Sequence, residues 1–133
     1  MDIYTAALYL PESQSLSPES YMEIPKRLVF DYHLSLSKEK VTRNIRHGLK
    51  INPEVNFEKV ESDFQKIARY FDPIREGDRF EFVHNPQQGI AIIKNNRTLT
   101  TIPGEDFARA FFGLWLSEYA RDKKLRQSLM VNV

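Results

Sequence analysis

Apolar positions along this chain follow two rhythms, a two-residue alternation and a recurrence at three and four residues, and each keeps to its own stretches. Ile3 to Leu10 is β-branched, aromatic and aliphatic and stops at Pro11, which predicts a strand. Pro11 to Ser20 is polar and turn-forming and reads as a surface loop. Arg27 to Leu34 alternates, with Leu28, Phe30, Tyr32 and Leu34 on one face and Val29, Asp31 and His33 on the other. That is the period of a half-buried strand, and its core face is the Leu/Phe/Tyr row.

The rhythm changes at Ser37, a capping residue ahead of the stripe Val41, Ile45 and Leu49, so a helix is expected that ends between Gly48 and Asn52. Asn52 and Pro53 supply a second cap and a first-turn proline. Phe57, Val60, Phe64, Ile67 and Phe71 recur along the helix that follows, until Pro73 stops it. Alternation returns at Arg79 to His84, turns at Asn85 to Gly89 into Gly89 to Lys94, and turns again at Asn95-Asn96 into Arg97 to Ile102. Pro103-Gly104-Glu105-Asp106 opens a helix with Phe107, Phe111, Leu114 and Trp115 on one side, and Leu125 and Leu129 mark a short terminal helix. The order is ββααβββαα. Hairpins and helices are segregated, not alternated, which specifies the α+β class: an antiparallel sheet with helices packed on one face.

Composition narrows the classes. The 133 residues make a single domain, 1–133, long enough to bury a core without metal or disulfide staples. A hydrophobic fraction of 41%, with 12% aromatic, argues against intrinsic disorder. The mean hydropathy is -0.48, and no apolar run approaches the ~18 residues of a membrane span. Lys and Arg number 19 against 18 Asp and Glu, so the net charge of +1 gives no global reason to expect nucleic acid as a partner. With no cysteine there is no disulfide, thiolate nucleophile or cysteine zinc site. Met1-Asp2-Ile3 offers neither a basic nor an apolar leader region, so no secretory signal is expected in the chain as it stands.

Candidate chemistry is sparse. His33, His47 and His84 are far apart, without HxxxH or HExxH spacing, so no metal site is expected. Asp31 and His33 share a strand face and could form an acid–base pair, although a solvated face has the same pattern. No GxSxG, P-loop or GxGxxG motif occurs. The Ser37 helix carries Lys38, Lys40, Arg43, Arg46 and Lys50, and the next carries Glu58, Glu61 and Asp63 just after Glu54, which reads as mutually compensating solvated surfaces. The 9 Phe, 6 Tyr and 1 Trp must mostly fill a core. A sheet roofed by Phe-rich helices, with hydroxyls from Tyr4, Tyr9 and Tyr32, is equally how an apolar cavity with a few polar anchors is built.

Several segments in order carry a family resemblance. Asp2-Ile3-Tyr4-Thr5-Ala6-Ala7-Leu8-Tyr9-Leu10 resembles a strand of chalcone isomerase-fold proteins. Gly77-Asp78, Gly89, Asn95-Asn96 and Ile102-Pro103-Gly104-Glu105-Asp106-Phe107-Ala108 leading to Leu114-Trp115-Leu116 are similar to the bacterial branch of that family. The resemblance runs over nearly the whole chain and implies the same antiparallel sheet with helices on one face. Plant chalcone isomerases hold the substrate phenolate with an arginine, aided by a threonine, a tyrosine and an asparagine. The arginine's strand precedes the one opening this chain, so the expectation is a domain lacking the family's N-terminal strand. The resemblance sets the asparagine at Asn44 and the tyrosine at Ser37. An ungapped alignment through Leu8-Tyr9 sets the threonine at Tyr4, and a one-residue shift sets it at Thr5. Ser117 stands where the bacterial branch usually has glycine after Trp-Leu.

The expectation that follows is a chalcone isomerase-like protein without isomerase activity, since the oxyanion lacks its arginine. It would bind a small hydrophobic or fatty-acid-like ligand between sheet and helices, lined by Tyr4, Thr5, Asn44, Phe111 and Trp115, with no cofactor. The alternatives are a chalcone–flavanone-type isomerase using Asn44 and Thr5 as catalytic residues, and a structural domain with a filled interior. The resemblance also implies export to the periplasm or medium, while the lack of a signal in the chain as it stands leaves a cytoplasmic location open. A charge-free strand edge at Ile3 to Leu10 invites a homodimer.

Overall fold

The computed structural model describes residues 3–12, 14–16, 20–71 and 73–130, so Met1, Asp2 and part of the expected 11–20 loop lie outside it. The elements are β1 (Tyr4–Tyr9), β2 (Lys26–Tyr32), α1 (Lys38–Ile51), α2 (Phe57–Ala68), β3 (Arg79–Asn85), β4 (Gly89–Lys94), β5 (Arg97–Pro103), α3 (Asp106–Leu116) and α4 (Lys123–Met130). The strands form one antiparallel five-stranded sheet in sequence order, β1-β2-β3-β4-β5, as expected of the α+β class. β1 and β5 are therefore its edges. Register aligns Leu8, Leu28, Phe82 and Ile92 in one cross-strand row and Ala6, Phe30, Phe80 and Lys94 in the next. These rows face the helices, because the two-residue period sends alternate side chains to the opposite face. Asn95 and Asn96 take φ of 50° and 68°, the left-handed pair that a two-residue hairpin turn requires.

Two helix expectations change. Asn52 does not open α2; it closes α1, and its Oδ1 accepts from the Glu54 N–H at 2.9 Å. Asn56 caps α2 instead, accepting from the Lys59 N–H, because Pro53 to Val55 forms a connecting turn between the axes. α3 is also not one-sided: Phe107, Ala108, Ala110, Phe111, Phe112, Gly113 and Leu116 are all buried. It is the central helix, held between the sheet and the other helices, so apolar residues surround it. Nor do the charges of α1 and α2 pair. Among the described residues no ion pair joins the two helices; the Arg46 guanidinium lies 5.4 Å from the Phe64 ring centre, and the Lys50 ammonium 5.0 Å from that of Phe57.

The open face of the sheet separates the candidate acid–base pair, in keeping with the solvated-face reading. Asp31 accepts from the Arg79 guanidinium at 2.9 Å, whereas His33, just past the end of β2, meets the Thr5 hydroxyl at 2.6 Å. Arg27 donates to Glu81 at 3.1 Å on the same face.

At the end of the inner face distant from Tyr4, a cation is buried. Lys26 has the parity of Leu28 and Phe30, and His84 that of Phe80 and Phe82, so both point inward and stand opposite each other. The Lys26 ammonium donates to the carbonyls of Tyr21 and of Ile24 (3.0 Å) and to His84 Nδ1 (2.7 Å), and sits 4.9 Å from the Phe112 ring centre. Burial lowers the Lys26 pKa to about 7. Burial, then the Lys26 charge, lowers that of His84 to about 4. With Nδ1 accepting, the proton of neutral His84 resides on Nε2, which is buried without a partner among the described residues.

Candidate functional site

Between the inner face of the sheet and helices α1 and α3 lies a cavity of about 700 Å³. Strand parity supplies its sheet side: Tyr4 from β1, Phe30 and Tyr32 from β2, and Phe82 from β3. Helical spacing supplies the roof, with Val41, Asn44, Ile45 and Gly48 along α1, and Phe111, Leu114 and Trp115 along α3. Gly48 sets how close the roof helices come. A Cβ built there would lie 2.6 Å from Leu114 Cδ2, so only glycine lets α1 approach the cavity side of α3 with Leu114 where it is.

The aromatic rings interlock around this space. Tyr4 meets Phe30 edge-on at 4.9 Å between ring centres, Phe30 lies 4.9 Å from Trp115, and Trp115 meets Phe111 edge-on at 5.2 Å. Such contacts fix ring orientation beyond what area burial alone does. Burial pushes the Tyr4 phenol up, an effect opposed by the Trp115 indole and reinforced by the Asp122 carboxylate. Burial, then Tyr4, pushes the Tyr32 phenol strongly up. Both hydroxyls therefore stay neutral across the physiological range and can act as donors and acceptors.

The walls differ by depth. Phe30, Phe71, Phe82 and Phe111 are buried and form the floor, whereas Ile3, Asn44 and Arg121 to Lys124 are exposed and form the mouth. The Asn44 amide has no hydrogen-bond partner among the described residues. At the deep end Asn52 is only 7% exposed, its carbonyl side already committed to the Glu54 N–H.

Of the residues expected from the sequence, Tyr4, Asn44, Phe111 and Trp115 come together on this cavity. Thr5 does not. It directly follows Tyr4 in an extended strand, so the alternation that turns Tyr4 inward turns Thr5 to the open face, where it meets His33. Tyr9 is also outward and 56% exposed, so of the three expected tyrosines only Tyr4 and Tyr32 reach the space. Sequence reasoning missed Gly48, Asn52, Tyr119 and the Arg121-Asp122-Lys123-Lys124 run. The run was visible as charge directly after the Trp115 helix, but a charge run alone reads as solvated surface. Among the described residues no three His, Asp or Glu side chains group as metal ligands, and no helix is long and apolar enough to cross a membrane.

Fold and cavity define a class: a five-stranded antiparallel sheet roofed by helices, hollow between the layers at one end. The chain belongs to the chalcone isomerase-like family, whose profile matches residues 1–130. No curated protein matches. Among solved structures it resembles the crystal structure of a fatty-acid binding protein of Arabidopsis thaliana. The TM-score is 0.72 at 12% identity, covering 98% of this chain and 77% of that one. At that identity the likeness establishes the fold.

Proposed function

We propose that this protein binds a small hydrophobic ligand, of the acyl-chain type, in the cavity between sheet and helices. The observation that carries the reading is a space of about 700 Å³ with an aromatic floor, bordered by Tyr4, Tyr32 and Asn44 as polar anchors. Ligand sites cover roughly 300–1,000 Å³ and combine this kind of apolar lining with a few polar groups. The fatty-acid binding of the Arabidopsis thaliana protein of the same fold supports it. Trp115 is the only tryptophan and borders the cavity, so its emission reports occupancy directly. Titration with fatty acids and flavonoids is expected to give a saturable change in that emission and a matching heat. Unchanged emission and no heat across the panel would end the proposal.

A second reading, intramolecular isomerisation of a chalcone-like enone, draws on Asn44, whose unpartnered amide borders the same space. Chalcone absorbance lost faster than the spontaneous rate, and no faster in Asn44→Ala, would support it. A rate equal to background removes it.

A further inference from the structure

The mouth of the cavity is chemically unlike its interior. Every lining residue of the sheet, α1 and α3 is aromatic, aliphatic, glycine or an uncharged amide or phenol, and among the described residues the cavity's charge is gathered where α3 gives way to α4. There Arg121, Lys123 and Lys124 line the opening with Asp122 as the only acid among them. Asp122 is turned to another task, its Oδ1 accepting from the Leu125 N–H at 2.9 Å and so capping α4.

Two of the three cations have no such employment. Among the described residues none of Arg121, Lys123 and Lys124 enters an ion pair. Lys123 donates to the Glu118 carbonyl, while the Arg121 and Lys124 side chains make no hydrogen bond among the described residues. Local helix electrostatics do not explain them either. Lys123 and Lys124 open α4, where unsatisfied N–H groups already concentrate positive charge, and that first turn holds no acidic residue. Cations there oppose the helix dipole. With Asp122 as the single acid beside them, three cations at the mouth of a cavity leave an excess of positive charge facing it, the kind of local exception that functional sites carry.

We infer that this lip seats an oxyanion: Arg121, Lys123 and Lys124 hold the carboxylate of a single-chain anionic amphiphile while its apolar chain descends past Trp115 toward Phe71. The inference rests on the ligand reading above and adds the charge of the headgroup and its place. Charge-assisted contacts to a carboxylate exceed those to a neutral hydroxyl, and they weaken with salt because the lip is exposed.

Calorimetry compares dodecanoate with dodecanol at pH 8, against the natural chain and against Arg121→Gln/Lys123→Gln/Lys124→Gln. The natural chain is expected to prefer dodecanoate by about tenfold or more, a preference that shrinks between about 0.05 and 0.5 M salt. The triple variant is expected to bind the two ligands alike. Arg121→Gln/Lys124→Gln keeps the Lys123 contact to Glu118 and covers the case in which the triple variant misfolds; it is expected to lose most of the preference. Equal binding of the two ligands by the natural chain, or a preference that survives in both variants, overturns the headgroup seat and leaves the cavity's ligand role standing. If neither ligand binds the natural chain, the headgroup seat falls, and the ligand role falls with it when the wider panel of fatty acids and flavonoids is silent as well.

Discussion

The two ends of the sheet–helix interface solve the same packing problem in opposite ways. At one end Phe112, Tyr21 and the 21–24 segment close over Lys26 and His84, and the ammonium finds all its acceptors inside the protein. At the other end Tyr4, Tyr32 and Trp115 surround open space, and among the described residues the Asn44 amide and the lip cations lack ion-pair or side-chain partners. Both ends draw on α3: Phe112 points into the filled end, while Phe111 and Trp115, flanking it in sequence, border the hollow one. The Lys26 ammonium is satisfied where it sits, whereas among the described residues the Asn44 amide and the Arg121 and Lys124 side chains are left available at the cavity.

Large-to-small substitution probes this difference most strongly. Phe112 is fully buried, so Phe112→Ala is expected to cost about 4 kcal/mol in denaturant unfolding. Trp115 is half-buried and already borders empty volume; Trp115→Ala should cost about half as much, despite the larger ring. Equal losses would erase the contrast.

Acid tests the filled end next. In the folded protein His84 stays neutral down to about 4, whereas the unfolded imidazole binds a proton below its ordinary 6.5, so falling pH across that window favours unfolding. Stability is expected to drop on the order of 2 kcal/mol between pH 6.5 and 4. Lys26 acts in the same direction higher up. Its folded pKa near 7 lies below the ordinary 10.5, so stability should rise from pH 7 toward pH 10. Urea melts at pH 4.5, 6.5 and 9 measure both, and His84→Leu should flatten only the acid arm.

At the hollow end, Gly48→Ala is expected to press Leu114 into the cavity and lower the affinity for dodecanoate severalfold. Stability should move by less than about 1 kcal/mol, since the crowded atom is the end of a flexible side chain. An unchanged affinity would mean that Leu114 finds another rotamer clear of the ligand. The smallest expected effect is that of Thr5→Ala, on neither end: about 0.5 kcal/mol or less in stability and no change in binding.

The fold was legible because strand parity and helix period repeat over many residues. Leu28, Phe30 and Tyr32 announce their face, and Val41, Ile45 and Leu49 theirs. Single residues were harder. Thr5 was assigned to the site by a one-residue shift, and one residue in a strand is the whole difference between core and open face. Lys26 and His84 sat at inward parity in plain view, but a lysine and a lone histidine do not suggest a core pair until a loop supplies carbonyls from Tyr21 and Ile24. The lip was opaque for a similar reason. Which charged run overlooks a cavity depends on how α4 docks against β1 and α3, a long-range outcome that no local window contains.

The turn at Asn95-Asn96 also bears on how fast the protein forms. β3, β4 and β5 pair through short connections, whereas β2 reaches β3 only after everything from His33 to Asp78, both intervening helices included, has been drawn in. Closing that long loop carries an entropic cost that no contact offsets until β3 has a partner. We predict that the β3–β4–β5 meander is the folding nucleus and that β2, with β1 behind it, docks late. In stopped-flow kinetics Asn96→Ala, which strains the left-handed turn, should slow folding, whereas Val29→Ala in β2 should chiefly accelerate unfolding. The reverse pattern would make the long-range pairing the first event.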